Sequence, residues 1–172
     1  MIFVTLGTTN FPFDRLLEGV DVAIESLNLR EKLVVQAKVS NYKFRHKKTK
    51  IIKVTDYGGI ISYLKKSRIV ITHGGSATVY LSLKYCRNRP LIIPRSKKYR
   101  EHVDDHQIYF VQFLKKRNFG EIILEQKNLE IKIGQYLLKP RQNKSIEENN
   151  QAKMDLIKKL NDFCLKLNSK KT

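Results

Sequence analysis

Cysteine is scarce in this chain of 172 residues, which has only Cys86 and Cys164. They lie far apart with no metal-ligand spacing, which argues against a zinc site or a disulfide scaffold and favours a reducing interior. Long apolar runs are missing too. Ile69-Val70-Ile71 and Leu91-Ile92-Ile93 fall far short of the roughly 20 residues a membrane-crossing helix needs. The opening Met1-Ile2-Phe3-Val4-Thr5 has neither the basic start nor the apolar length of a secretory leader, so none is expected. Absent as well are the Gly-x-x-x-x-Gly-Lys-Ser/Thr pattern and a complete Gly-x-Gly-x-x-Gly, so neither an ATPase nor an ordinary dinucleotide site is supported. No internal repeat is visible.

Acidic residues are few, 16 against 34 lysines and arginines, for a formal charge of +18. The excess is clustered. Lys38, Lys43, Arg45, Lys47, Lys48, Lys50 and Lys53 follow one another with no acid between them, and a second group holds Arg95, Lys97, Lys98 and Arg100. Such a field attracts nucleic acid, anionic membrane or phosphorylated ligands. Two readings stand, a solubilising surface or a patch facing a membrane. Specific nucleic-acid binding is not expected, since the basic stretch offers only Tyr42 and Phe44 for stacking and carries no recognised motif.

What is present is a chain with 41% hydrophobic residues, enough for one domain with a sizeable core. Short apolar runs predict strands at 2–6, 33–36, 51–54, 69–72, 91–93 and 121–124. Between them, Phe13, Leu16, Leu17, Val20, Ile24 and Leu27 recur at helical spacing. Further helices are expected at 59–66, from Ser76 to about Tyr85, and at 104–116. Apolar strands alternating with helices predict an α/β domain whose parallel sheet is covered on both faces. After Pro140 the chain turns polar. Met154, Ile157, Leu160, Cys164 and Leu167 then mark a last amphipathic helix, which either packs back or docks on another chain. The division expected is 1–140 for the ligand-binding unit and 141–172 for a polar linker and docking helix.

In open parallel sheets ligands sit beyond the carboxyl ends of the strands. Three loops leave those ends. The first holds Gly7 and Thr8. The second is His73-Gly74-Gly75-Ser76, where a strand stops and a helix begins, so free N–H groups and the positive helix end would face a phosphate or diphosphate. Ser76 and Thr78 add hydroxyls. The same glycine pair also suits a turn that serves packing alone. The third loop packs Glu101, His102, Asp104, Asp105, His106 and Gln107 before a helix, a mixture of donors and acceptors suited to sugar hydroxyls. Asp104 also suits an N-cap, and the His and carboxylate cluster leaves metal binding as a rival.

"MIFVTLGTTNFPFDRLL", "ITHGGSATVYLSL" and "PLIIPRSKKYREHVDDHQ", in that order, resemble the C-terminal, nucleotide-sugar-binding half of family 28 glycosyltransferases. They resemble most the small subunit of split enzymes of the dolichol pathway and of exopolysaccharide and capsule synthesis. The resemblance implies a Rossmann-like half of a GT-B fold that binds a UDP-sugar, with no cofactor and no metal. Gly7, Thr8, His73, Gly74, Gly75, Ser76 and Thr78 would border the diphosphate. Val54 to Asp56 would border the uracil. His106 and Gln107 would contact the sugar hydroxyls, and Glu101 and Asp105 are also expected among the donor-binding residues. A membrane-associated partner subunit would bring the lipid-linked acceptor to a cytoplasmic site on the inner membrane face, where the basic charge meets anionic lipid. No catalytic base is assigned to this half. Leu81 stands where the family usually has a glutamate that holds the ribose, which admits a second expectation: a subunit that has lost donor binding and supports its partner.

Overall fold

The computed structural model describes residues 1–124, 129–143 and 158–159. Six parallel strands form one sheet: β1 (Ile2–Thr5), β2 (Leu33–Gln36), β3 (Thr49–Ile52), β4 (Ile69–His73), β5 (Leu91–Ile93) and β6 (Glu121–Ile122). Their spatial order is β3-β2-β1-β4-β5-β6. The chain thus winds outward from β1 in one direction, returns, and winds outward in the other, so β1 and β4 meet at the switch point of a doubly wound sheet. The helices are α1 (Asp14–Ser26), α2 (Tyr57–Lys66), α3 (Ser76–Tyr85), α4 (His106–Lys116) and α5 (Leu129–Leu138).

Alternation of side chains along each strand assigns the two faces. Ile2, Val4, Leu33, Val35, Ile69, Ile71, Leu91 and Ile93 pack on the face covered by Leu16, Leu17, Val20 and Ile24 of α1 and by Leu129, Ile133 and Leu137 of α5. On the other face, Phe3, Val34 and Val70 meet Leu64 of α2, while Ile92 meets Val79 and Leu83 of α3 and Phe110, Val111 and Leu114 of α4. The expected α/β architecture, a Rossmann-like parallel sheet with helices on both faces, is present.

Several boundaries move by a residue or two, with α2 starting at Tyr57 and β6 ending at Ile122, and three differences bear on the fold. β3 lies two residues earlier than its apolar run, at Thr49–Ile52, because it is the edge strand paired only with β2, and Ile51 is 54% exposed. An edge strand with a half-solvated face need not be apolar throughout. α4 begins at His106 and not at Asp104. α5 has no counterpart among the expected helices, although Leu129, Ile133, Tyr136 and Leu137 follow the i, i+4, i+7, i+8 pattern. Gly19 of α1 lets it pack closely, since a Cβ there would stand 3.3 Å from Leu129 and Ile133. The expected terminal helix through Met154 and Leu167 lies outside the described residues.

The basic stretch after β2 is anchored. Asp21 of α1 is fully buried, and its carboxylate accepts from the backbone N–H of Arg45 (3.0 Å) and His46 (3.2 Å) and from the Tyr42 hydroxyl (3.0 Å). Burial pushes this carboxyl upward, but those hydrogen bonds outweigh it and hold the group below the usual aspartate value. Lys43, Lys47, Lys48, Lys50 and Lys53 stay exposed around that anchor.

Candidate functional site

The loops leaving β1 and β4 open onto a cleft of about 410 Å³ at the switch point. Gly7, Thr8, His73, Gly75, Ser76, Thr78, His106 and Gln107, all expected site residues, line it. Volumes of this size hold small-molecule ligands, and cofactors and substrates of doubly wound sheets bind at this place.

His73, the last residue of β4, sets the local geometry. Its imidazole is buried and wedged between two glycines. A Cβ on Gly7 would lie 2.7 Å from its Cε1, and one on Gly75 would lie 2.3 Å from its Nε2. Gly7 also has φ +73, which side chains rarely adopt. The ring Nδ1 is 3.3 Å from the Thr5 carbonyl, which can only accept, so Nδ1 carries the proton and Nε2 is the acceptor. Burial, assisted by the charge of Arg95, lowers the His73 pKa to about 4 and keeps it neutral at pH 7.

Gly74 has a different reason. A Cβ there would press on Gln107, Val111 and the Pro94 backbone at 3.1 to 3.2 Å, so this glycine lets α4 and the end of β5 approach. Gly74 does not line the cleft among the described residues. Gly75 is the N-cap of α3 and supplies no side-chain cap, and the first amide bonded within the helix is that of Val79, to Gly75 O at 2.9 Å. The amides of the first turn, and the positive end of the helix, are therefore left to the cleft. Ala77, Thr78 and Leu81 from the same helix also line it.

The third loop divides into supports and cleft residues. Glu101 is buried and takes both oxygens of a bidentate pair with Arg15 (2.8 and 2.9 Å), plus the Ser96 amide at 3.0 Å. Asp105 accepts from the Lys97 amide (2.8 Å) and the Ser96 hydroxyl (3.1 Å). Asp56 caps α2 through the Gly59 amide at 2.8 Å. None of these three carboxylates is among the cleft-lining residues, whereas Thr55, next to Asp56, is. His102, His106 and Gln107 do reach the cleft. Burial, with His106 close by, holds His102 below the usual histidine value.

Arg95, expected among the surface charge, is buried to 1% exposure. Its guanidinium donates to the carbonyls of Leu6, Phe11, Pro12 and Glu101 at 2.9 to 3.2 Å, and its own amide donates to Gln107 Oε1 at 3.2 Å. One side chain thus ties the first loop to the third. Its sequence position after Pro94 carries no sign of this, because a lysine- and arginine-rich chain offers many equivalent candidates. Thr5 and Gln36, which no motif in the sequence singles out, also line the cleft. Thr5 Oγ1 bonds Gln36, and Gln36 Nε2 donates to the Gly7 carbonyl at 3.1 Å, fixing the floor of the cleft.

The model of the glycosyltransferase family 28 C-terminal domain matches residues 1–160. The chain belongs to this family. No curated protein matches it. Among solved structures, this family 28 domain is similar to the flavodoxin-like domain of a Synechococcus protein, at 11% identity and TM-score 0.47, over 81% of this chain and 99% of that one. It is also similar to the glycosyltransferase SnogD from Streptomyces nogalater, at 15% identity and TM-score 0.45, over 81% of this chain and 40% of that one. Among the described residues, no helix of the family 28 domain is long and apolar enough to cross a membrane.

Proposed function

We propose that this family 28 domain is the donor-binding subunit of a glycosyltransferase that moves a sugar from a UDP-sugar to a lipid-linked acceptor in polysaccharide synthesis. The observation that carries the reading is the uncapped start of α3, opening onto the switch-point cleft between Gly7 and Gly75. A diphosphate there would accept from the first-turn amides and the hydroxyls of Ser76 and Thr78, in the field of the helix end. Those amides would also stabilise UDP as it departs, without reorganising. Thr8 would lie on the same side, with Thr55 toward the base. His106 and Gln107, on the opposite wall, would meet the sugar hydroxyls. Neutral His73 would seat both phosphate-side loops and leave the charge of the donor unopposed. Glu101, Asp105 and Asp56 would act through the loops they hold.

The acceptor and its activating base would come from a membrane-associated partner, reached through residues 141–172. The exposed lysines pinned around Asp21 would rest on an anionic inner membrane surface, gaining on the order of 1 kcal/mol for each basic residue near it. UDP titrated calorimetrically into the full chain, alone and with its partner, tests the donor role. Saturable binding lost in Thr78→Val is expected, and no binding at millimolar UDP with the partner present would overturn it.

One observation favours a second reading, a supporting subunit that no longer binds donor: Leu81 puts an apolar wall in the cleft, and no carboxylate lines it among the described residues. Leu81→Glu separates the two. Under the donor reading the wild type already binds UDP. If only the variant binds, the supporting role holds.

A further inference from the structure

We propose that His102, Asp104 and His106 form a binding site for a divalent transition-metal ion of the zinc, cobalt or nickel class, on the rim of the cleft. The resemblance of the sequence leads to the expectation of no metal, and such a site goes against that expectation. One ligand atom from each residue lies within 4.8 Å of the other two. Asp104 Oδ1 contacts His106 Nδ1 and is 3.4 Å from His102 Nδ1. The two rings meet edge to face with centroids 4.6 Å apart, and the Nδ1 of each pairs with Asp104 Oδ1.

His102 Nδ1 is the telling atom. It is buried and makes no hydrogen bond. At 3.4 Å from Asp104 Oδ1 it regains little of its lost hydration, and an ion held between the three residues would complete it. Two imidazole nitrogens and one carboxylate oxygen are a borderline donor set suited to zinc-like ions, and three protein ligands leave a coordination position open. Both histidines line the cleft, so that position faces ligand space. Ligation through Nδ1 leaves His106 its second nitrogen for a donor.

The segment is also held in place, which a metal site needs. Glu101 is clamped by Arg15 and the Ser96 amide, and Asp105 by the Ser96 hydroxyl and the Lys97 amide, so the ligands alternate with anchored residues. Phe11 packs on His102 with centroids 5.7 Å apart.

The test uses the full chain stripped with chelator and titrated with Co²⁺, read by its visible absorption, and with Zn²⁺, read by melting temperature. One saturable site is expected, weakened about tenfold or more in both His102→Gln and Asp104→Asn. Zn²⁺ should raise the melting temperature of the wild type and of neither variant. Either variant that keeps its circular dichroism suffices for the comparison. Absence of saturable Co²⁺ binding in the wild type, or binding unchanged in a folded variant, overturns the site. Neither readout involves UDP, so the outcome is independent of the donor role.

Discussion

Gly75→Ala isolates the packing that shapes the cleft. Gly75 has φ −70 and ψ 126, a conformation alanine adopts freely, so the backbone adds no strain. The added methyl would stand 2.3 Å from His73 Nε2 and 2.9 Å from Cδ2. The imidazole cannot slide away, because Gly7 closes its other side. Overpacking of a core site costs about 1–3 kcal/mol. Alanine is also a poorer N-cap than glycine by about 0.5–1 kcal/mol. For a chain of this length, the sum corresponds to a melting-temperature drop of roughly 3–15 °C. In a His73→Ala background the methyl has room and only the cap difference remains. Urea unfolding of the wild type, both single variants and the double variant should then show the double variant about 1–3 kcal/mol less destabilised than the sum of the two single variants. Additivity within about 0.5 kcal/mol would refute the wedge of His73 between the two glycines.

The pH dependence of stability should carry the signature of His73. Its folded pKa, about 4, lies below the ordinary 6.5, so the unfolded chain binds more protons between these values and stability falls as pH is lowered through that window. The slope from this group is at most about 1.4 kcal/mol per pH unit, and urea unfolding at pH near 7 and near 5 should show it in the wild type and not in His73→Asn. Arg95→Met should cost about 3–5 kcal/mol, because it strips the donors from four loop carbonyls; a thermal shift equivalent to less than about 1 kcal/mol would show that Arg95 is not the tie between the loops. Asp21→Asn should speed hydrogen exchange at the Arg45 and His46 amides while leaving β1 and β4 protected, and unchanged exchange would dissociate Asp21 from the basic segment.

Where one packing face suffices to define an element, it was legible. Phe13, Leu16, Leu17, Val20 and Ile24 recur with the period of a helix, and all five are buried. The buried strands β1, β2, β4 and β5 read as unbroken apolar runs because both their faces are covered. β3 misled because an edge strand is half solvated, and α5 escaped notice although its apolar positions keep helical spacing. At the cleft, the three loops were found in the sequence because strand-end positions and helix starts follow from the order of elements. The partition within each loop was not, since identical residue types serve support and lining.

The sequence by itself determined the alternation of strands and helices, the places where ligand-facing loops must lie, and the surplus of basic charge. These follow from local periodicity and composition, which need no neighbours in space. Only the tertiary structure decided that His73 fills the gap between Gly7 and Gly75, that Arg95 is an internal tie, and that Glu101 and Asp105 hold a loop whose histidines face the cleft. Each of those facts depends on a partner that is distant along the chain or placed by the path of its loop, and residue type alone cannot name that partner.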